Sequence, residues 1–152
     1  MRVGITGHRG LSGDVAAWVR QRLSDEVAAL PRDGLVGVSC LADGPDSWFA
    51  QAVLGVGGAL EAVVPAAAYR EGLPAWHHAT YDALLSAAAE VHATGREASD
   101  PQAHMAGSEL MVERVELLLA VWDGQPARGF GGTADVVAYA ERQGVPGRGL
   151  WP

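Results

Sequence analysis

Apolar positions along the 152-residue chain fall into two alternating patterns. Short runs read as strands at Val3 to Thr6, Leu35 to Cys40, Leu60 to Val64, Glu90 to Thr94 and Leu117 to Trp122. The first, second, third and fifth are mostly aliphatic or β-branched, as a sheet covered on both faces requires. Between them the period changes. Val15, Val19, Leu23, Val27 and Leu30 recur at spacings of four, four, four and three, which places them on one face of a helix. Gly44-Pro45-Asp46 opens a second helix, with Pro45 suited to its first turn and Asp46 favourable near the N-terminal dipole. Asp100-Pro101 marks another start with Asp100 as N-cap, and a last helix runs from about Thr133 to Gln143, ended by Gly144 and Pro146. The tail "GVPGRGLWP" supports at most a short edge strand, because Gly147 and Gly149 weaken it.

Strands alternating with helices, without repeat or linker, predict an α/β chain. The expected architecture is a Rossmann-like three-layer sandwich around a mainly parallel sheet of five or six strands. Length and an apolar content of 49% predict one domain over residues 1–152.

Composition then narrows the partners. A net charge of −7 predicts that nucleic acid is an unlikely partner, since a sequence-independent binder needs a basic face. Small anions held in a local pocket remain compatible. The N-terminus lacks a signal-peptide pattern and no stretch is long and apolar enough for a membrane span, so the expectation is a cytoplasmic protein with no membrane partner. The lone Cys40 reads as a small buried hydrophobe in a reducing compartment. His77 and His78 are adjacent, so they lack the spacing of a helical metal pair; neither a metal nor a cofactor is expected.

Candidate chemistry gathers where strands turn into helices. In "RGFGGTADVVAYA" the glycines Gly129, Gly131 and Gly132 precede Thr133 and a helix. Unpaired N–H groups at a helix start, reinforced by the helix dipole, suit a phosphate; a tight strand-to-helix turn is the alternative. "TGHRG" follows the first strand. Gly7 and Gly10 permit a tight turn there, and His8 and Arg9 supply donors and positive charge, unless Arg9 is a solvated charge and His8 a turn residue. The loop "SCLADGPD" follows the second strand. In an open parallel sheet all three loops fall at the ligand-binding edge. Tyr69, Arg70 and Trp76, after the third strand, either stack on a ligand ring or pack. Glu109 and Glu113 read as a solvated or subunit-facing helix surface, and Met105 and Met111 as packing residues.

"VGITGHR", "SCLADGPDSWFAQAVLGVGGALEAVVP" and "LLAVWDGQPARGFGGTADVVAYA" together resemble the SLOG superfamily of Rossmann-like proteins, over residues 2 to about 145. Its branches include the DprA family and the LOG phosphoribohydrolases. The DprA pattern Ser-x-Leu-Ala-x-Gly-x-Asp is matched by Ser39, Leu41, Ala42, Gly44 and Asp46. The resemblance implies a nucleotide or nucleotide-derived ligand. Its phosphate would be held by Gly129 to Thr133, with help from the loops that carry Gly7, His8 and Arg9 and Ser39, Gly44 and Asp46. It also implies a homo-oligomer, a dimer or larger. LOG members cleave the N-glycosidic bond of a nucleoside monophosphate with a glutamate where this chain has Val136. The LOG Arg-Lys pair has no match in "HMAGSELMVERVE", where Ser108 and Glu109 stand near the arginine position and Arg114 is out of register. Asp135 and Asp123 are therefore the candidate catalytic carboxylates for that activity. Their alternatives are satisfying the helix N-terminus for Asp135 and forming a turn before Gly124 for Asp123. Two functional classes follow: a nucleotide-binding sensor or carrier, and an N-glycosidase with a rearranged carboxylate.

Overall fold

A computed structural model describes residues 1–127 and 129–152; Arg128, which opens the quoted glycine stretch, lies outside the described residues. Strand β1 (Arg2–Gly7) leads to helix α1 (Gly13–Ala28), then β2 (Val36–Ser39), α2 (Pro45–Gly55) and β3 (Ala59–Val64). A short helix α3 (Tyr69–Gly72) and a 3₁₀ turn at Ala75–His77 precede α4 (His78–Ala87) and β4 (Glu90–Ala93). The chain continues through α5 (Pro101–Val112), β5 (Leu117–Val121), α6 (Thr133–Arg142) and β6 (Gly147–Leu150).

The six strands form one parallel sheet in the order β4-β3-β2-β1-β5-β6. From β1 the chain steps outward to β4, then returns to the other side of β1 to lay down β5 and β6. Right-handed crossovers put successive helices on opposite faces when the direction of travel reverses. Accordingly α1 packs on α2 and α2 on α4, while α5 packs on α6. Val19, Leu23 and Val27 of α1 are fully buried, so the helical spacing read from the sequence is the face that meets the sheet. Asp100 caps α5 by accepting a 2.7 Å hydrogen bond from the Ala103 amide. The tail forms the short edge strand β6, of which only Leu150 is buried among its four residues.

Two strand glycines set how closely the helices approach. A Cβ on Gly37 of β2 would lie 2.7 Å from Val53 and 3.1 Å from Phe49 of α2. On the other face a Cβ on Gly4 of β1 would collide with Met111 of α5. Both helices therefore lie closer to the sheet than a side chain at these positions would permit.

Gly37→Ala is expected to destabilise the protein by about 1–3 kcal/mol, the usual range for overpacking. Urea unfolding checks it; an unchanged midpoint would show that α2 shifts freely and is not fixed by this contact.

Candidate functional site

The strand order reverses between β1 and β5, and there the loops at the carboxyl ends diverge and leave a crevice. It has a volume of about 270 Å³. Its walls come from Thr6, Gly7, His8 and Arg9 after β1, Cys40, Ala42 and Asp46 after β2, Tyr69, His104 and Ser108, and the glycine loop through Thr133.

Each wall is shaped by local constraints. A Cβ on Gly7 would sit 2.9 Å from Val121 and 3.0 Å from Pro45, so this glycine lets the first turn of α2 close onto the end of β1. Arg9 donates from Nε and Nη2 to one carboxylate oxygen of Asp43, at 2.9 and 2.5 Å, which fixes the guanidinium at the rim. The Asp43 side chain is mostly buried and that of Arg9 about half exposed. His8 lines the crevice but is tied elsewhere. Its Nε2 lies 3.2 Å from Asp123 Oδ1, and its ring packs edge-on against Trp151.

The loop after β2 holds the one non-glycine residue of positive φ among the described residues. Leu41 is fully buried with φ +61°, a left-handed conformation that a branched side chain rarely adopts. Three groups hold it. The Ser39 hydroxyl accepts from the Leu41 amide and donates to the Asp46 carbonyl, both at 3.0 Å. His77 Nε2 lies 3.0 Å from the Leu41 carbonyl. Ser47 donates to the Ala42 carbonyl at 2.6 Å. The structure thus places Ser39 in the support of the loop rather than on the crevice wall. Gly44, with φ +90°, lies at the N-cap of α2 and lines a neighbouring cavity.

The glycine loop is equally constrained. Gly131 has φ +83°, and a Cβ there would lie 2.9 Å from the Pro101 carbonyl. Its amide donates to Asp135 Oδ2 at 2.9 Å. Asp135 therefore reaches back from the first turn of α6 to fasten the loop. Gly132 caps that helix, and Thr133 stands buried at its first position. Asp123 accepts from the Gln125 amide at 3.0 Å, a turn-forming contact. Neither of the two candidate carboxylates, Asp135 and Asp123, is among the residues lining the crevice.

The carboxylate that does line it is Asp46, the one acid among its described wall residues, with Arg9 the one guanidinium. Asp46 keeps partial exposure through the crevice mouth, yet protein surrounds it closely. Burial raises its pKa to about 7, offset in part by the Ala42 amide at 3.3 Å and by Arg9, while Asp43 adds to the rise. Burial likewise pushes the Cys40 thiol and the Tyr69 phenol upward, so both stay neutral. His104 is lowered, first by burial and then by Arg9. It packs edge-on against Tyr69, and its Nε2 lies 2.9 Å from the Ser99 hydroxyl. Sequence reasoning did not single out His104 as a wall residue; only the topology brings α5 over β1.

One further cluster lies away from the crevice, towards the amino ends of the strands. Glu61, Glu90 and His92 bring potential metal-ligating atoms within 4.8 Å of one another, a grouping the sequence reading did not anticipate. Both Glu61 oxygens already accept from Arg2, at 2.9 and 2.7 Å, and His92 Nε2 lies 2.9 Å from one of them. Arg2 holds the Glu61 carboxyl down at about 2. A fixed cation on that carboxylate opposes a second one.

No sequence-family profile and no characterised protein matches the chain at the sequence level. Solved structures do match. DprA from Helicobacter pylori superposes with a TM-score of 0.74 at 15% identity, covering 100% of this chain and 66% of that one. DprA from Streptococcus pneumoniae gives 0.68 at 18% identity, covering 97% of this chain and 49% of that one. This chain shares the fold of these DprA structures. A third structure, the molybdenum cofactor binding protein of Rippkaea orientalis, gives 0.61 at 16% identity and covers 98% of this chain and 75% of that one. The chain spans about half the length of the pneumococcal protein.

These matches correct one expectation. The acidic composition predicted that nucleic acid is an unlikely partner, but the H. pylori protein of similar fold binds single-stranded DNA. Whole-chain charge sums groups spread over the entire surface, so it does not exclude such a partner for a fold of this kind. Among the described residues, no helix is long and apolar enough to cross a membrane.

Two outcomes are expected. Asp46→Asn should raise the melting temperature at pH 8 by several degrees and have little effect at pH 4. A carboxyl whose folded pKa lies above its unfolded value contributes stability at low pH that is lost as pH rises through about 7. An equal shift at both pH values would count against a buried, titrating Asp46. Gly131→Ala should cost about 1–3 kcal/mol through its left-handed φ and the Pro101 carbonyl, whereas Gly129→Ala, with open space around its Cβ, should be near neutral. Denaturant unfolding of the two variants side by side tests the difference.

Proposed function

We propose that the crevice binds a nucleotide or a nucleotide-derived molecule by its phosphate, at the amino end of α6 between the glycine loop and Arg9. The observation that carries this reading is the convergence of two helix N-termini and the Arg9 guanidinium on one crevice. At α2 the position is taken by the Asp46 carboxyl, which accepts from the Ala42 amide. At α6 Asp135 turns back to Gly131, and the crevice is lined by Gly131, Gly132 and Thr133. A phosphate gains from the dipole at a helix start, and the glycines before α6 leave it room to approach. The DNA ligand of the H. pylori neighbour, a phosphate polymer, supports the same assignment.

In titration calorimetry with nucleoside 5′-monophosphates, Arg9→Ala and Thr133→Ala should each weaken binding about tenfold or more, as expected when a charge-assisted contact to phosphate is lost. Unchanged affinity in both variants would remove the phosphate cradle.

A second reading, cleavage of the N-glycosidic bond, is favoured by Asp46 alone. A carboxyl poised near neutrality inside a ligand crevice can exchange a proton with a departing base, which Asp135 and Asp123, engaged in loop contacts outside the wall, are less well placed to do. Incubation with a panel of nucleoside monophosphates, followed by chromatography for free base and ribose 5-phosphate, tests it. Release of a base that Asp46→Asn abolishes supports the hydrolase; release that survives this substitution excludes Asp46 from it.

A further inference from the structure

Beside the crevice lies a second cavity of about 380 Å³, lined by Gly10, Leu11 and Arg20, by Asp43, Ser47, Trp48 and Gln51, and by Trp76, His77 and Thr80. It sits between α1, α2 and the start of α4. The Arg9–Asp43 ion pair separates the two spaces, for Arg9 lines the crevice and Asp43 the cavity. The two spaces thus adjoin at this pair.

The lining is chemically distinct from that of the crevice. Trp76 is 75% exposed, the most exposed of the large apolar side chains. Its ring meets His77 at an edge, at 5.8 Å and 72°, and is otherwise open to solvent. Trp48 is half-buried, with the Arg20 guanidinium 5.7 Å from its ring centroid. Two indoles line one space that also holds the Gln51 amide and the Thr80 hydroxyl, groups able to donate and accept. Ser47 and His77 are already engaged with the Leu41 and Ala42 carbonyls, so they form the floor. An exposed indole at the mouth of such a space suits a flat ring that stacks on it and offers polar edges.

We infer that this cavity is a base-binding subsite: it takes the planar heterocycle of the ligand whose phosphate lies in the crevice, with Trp76 as the stacking platform. The inference rests on the phosphate reading above for the other end of the ligand, but the subsite has its own readout. The heterocycle belongs either to a free mononucleotide or to a single strand of nucleic acid. The two share the same chemistry, a base joined to a sugar phosphate.

The test follows Trp76 emission, taken as the difference between wild type and Trp76→Phe, on addition of ribose 5-phosphate, the four common ribonucleosides, their 5′-monophosphates and a short oligothymidylate. At least one base-containing probe should quench Trp76, and ribose 5-phosphate should not. In titration calorimetry Trp76→Ala should weaken that probe about tenfold while leaving ribose 5-phosphate unchanged; Arg9→Ala should weaken the phosphate-bearing probes and spare the nucleoside. Quenching by a nucleoside from a protein that binds no ribose 5-phosphate would keep the subsite and remove the phosphate reading. No change in Trp76 emission with any base-containing probe, or unaltered affinities in Trp76→Ala, would overturn the subsite. Because Trp76 is exposed, its substitutions remove no core contact, and Gln51→Ala gives a second exposed probe of the same wall. Binding of the oligothymidylate with a steep salt dependence would assign the base to a strand; binding confined to mononucleotides would assign it to a metabolite.

Discussion

Everything at the functional edge of this protein follows from one topological constraint: the chain builds its sheet outward from β1 in one direction and then restarts on the other side. Right-handed crossovers send the helices of the two halves to opposite faces. The loops after β1 and β5, though their strands are neighbours, therefore part from each other at the carboxyl edge. No catalytic or binding residue is needed to open that space. What the sequence adds is control over how closely the surrounding helices approach, through Gly7 beneath Pro45, Gly37 beneath α2 and Gly4 beneath α5.

Within this frame the site is built from supported loops rather than from side chains aimed at it. Leu41 is held left-handed by Ser39, with His77 and Ser47 on the carbonyls that follow. Gly131 is held by Asp135, and the His8 ring by Asp123. Polar residues that a motif comparison marks as ligand contacts thus include several that keep the backbone in a conformation it would otherwise leave. Strain of this kind persists only where the surroundings over-determine it, and it is commonly found at binding sites.

How much of this was legible in the sequence depends on the range of the interaction. The face of α1 could be read because Val19, Leu23 and Val27 repeat with the helix period, and Asp100 as a cap because its partner is three residues away. The fastening role of Asp135 was visible as one of two alternatives for the same reason. The tail was harder to read, since β6 contains Gly147 and Gly149 and buries only Leu150, so most of its pairing is backbone alone. The surroundings of Asp46 could not be read at all. Its titration near neutrality arises from packing that joins Arg9, Asp43 and the crevice wall, groups brought together by the sheet and not by sequence spacing. His104 reaches the same wall from α5 on equally non-local grounds.

The Arg9–Asp43 pair has a meaning beyond its place as a partition. An unopposed guanidinium in a small crevice would draw in any abundant anion and release it slowly. Here the cation already has an internal partner, so an arriving phosphate replaces part of an existing attraction instead of adding a new one. Under the proposed phosphate reading, such a site works by exchange: its grip on bare phosphate is modest, and discrimination falls to whatever the rest of the molecule can touch. That is the behaviour suited to sampling a crowded pool of phosphorylated compounds without being occupied by the commonest of them.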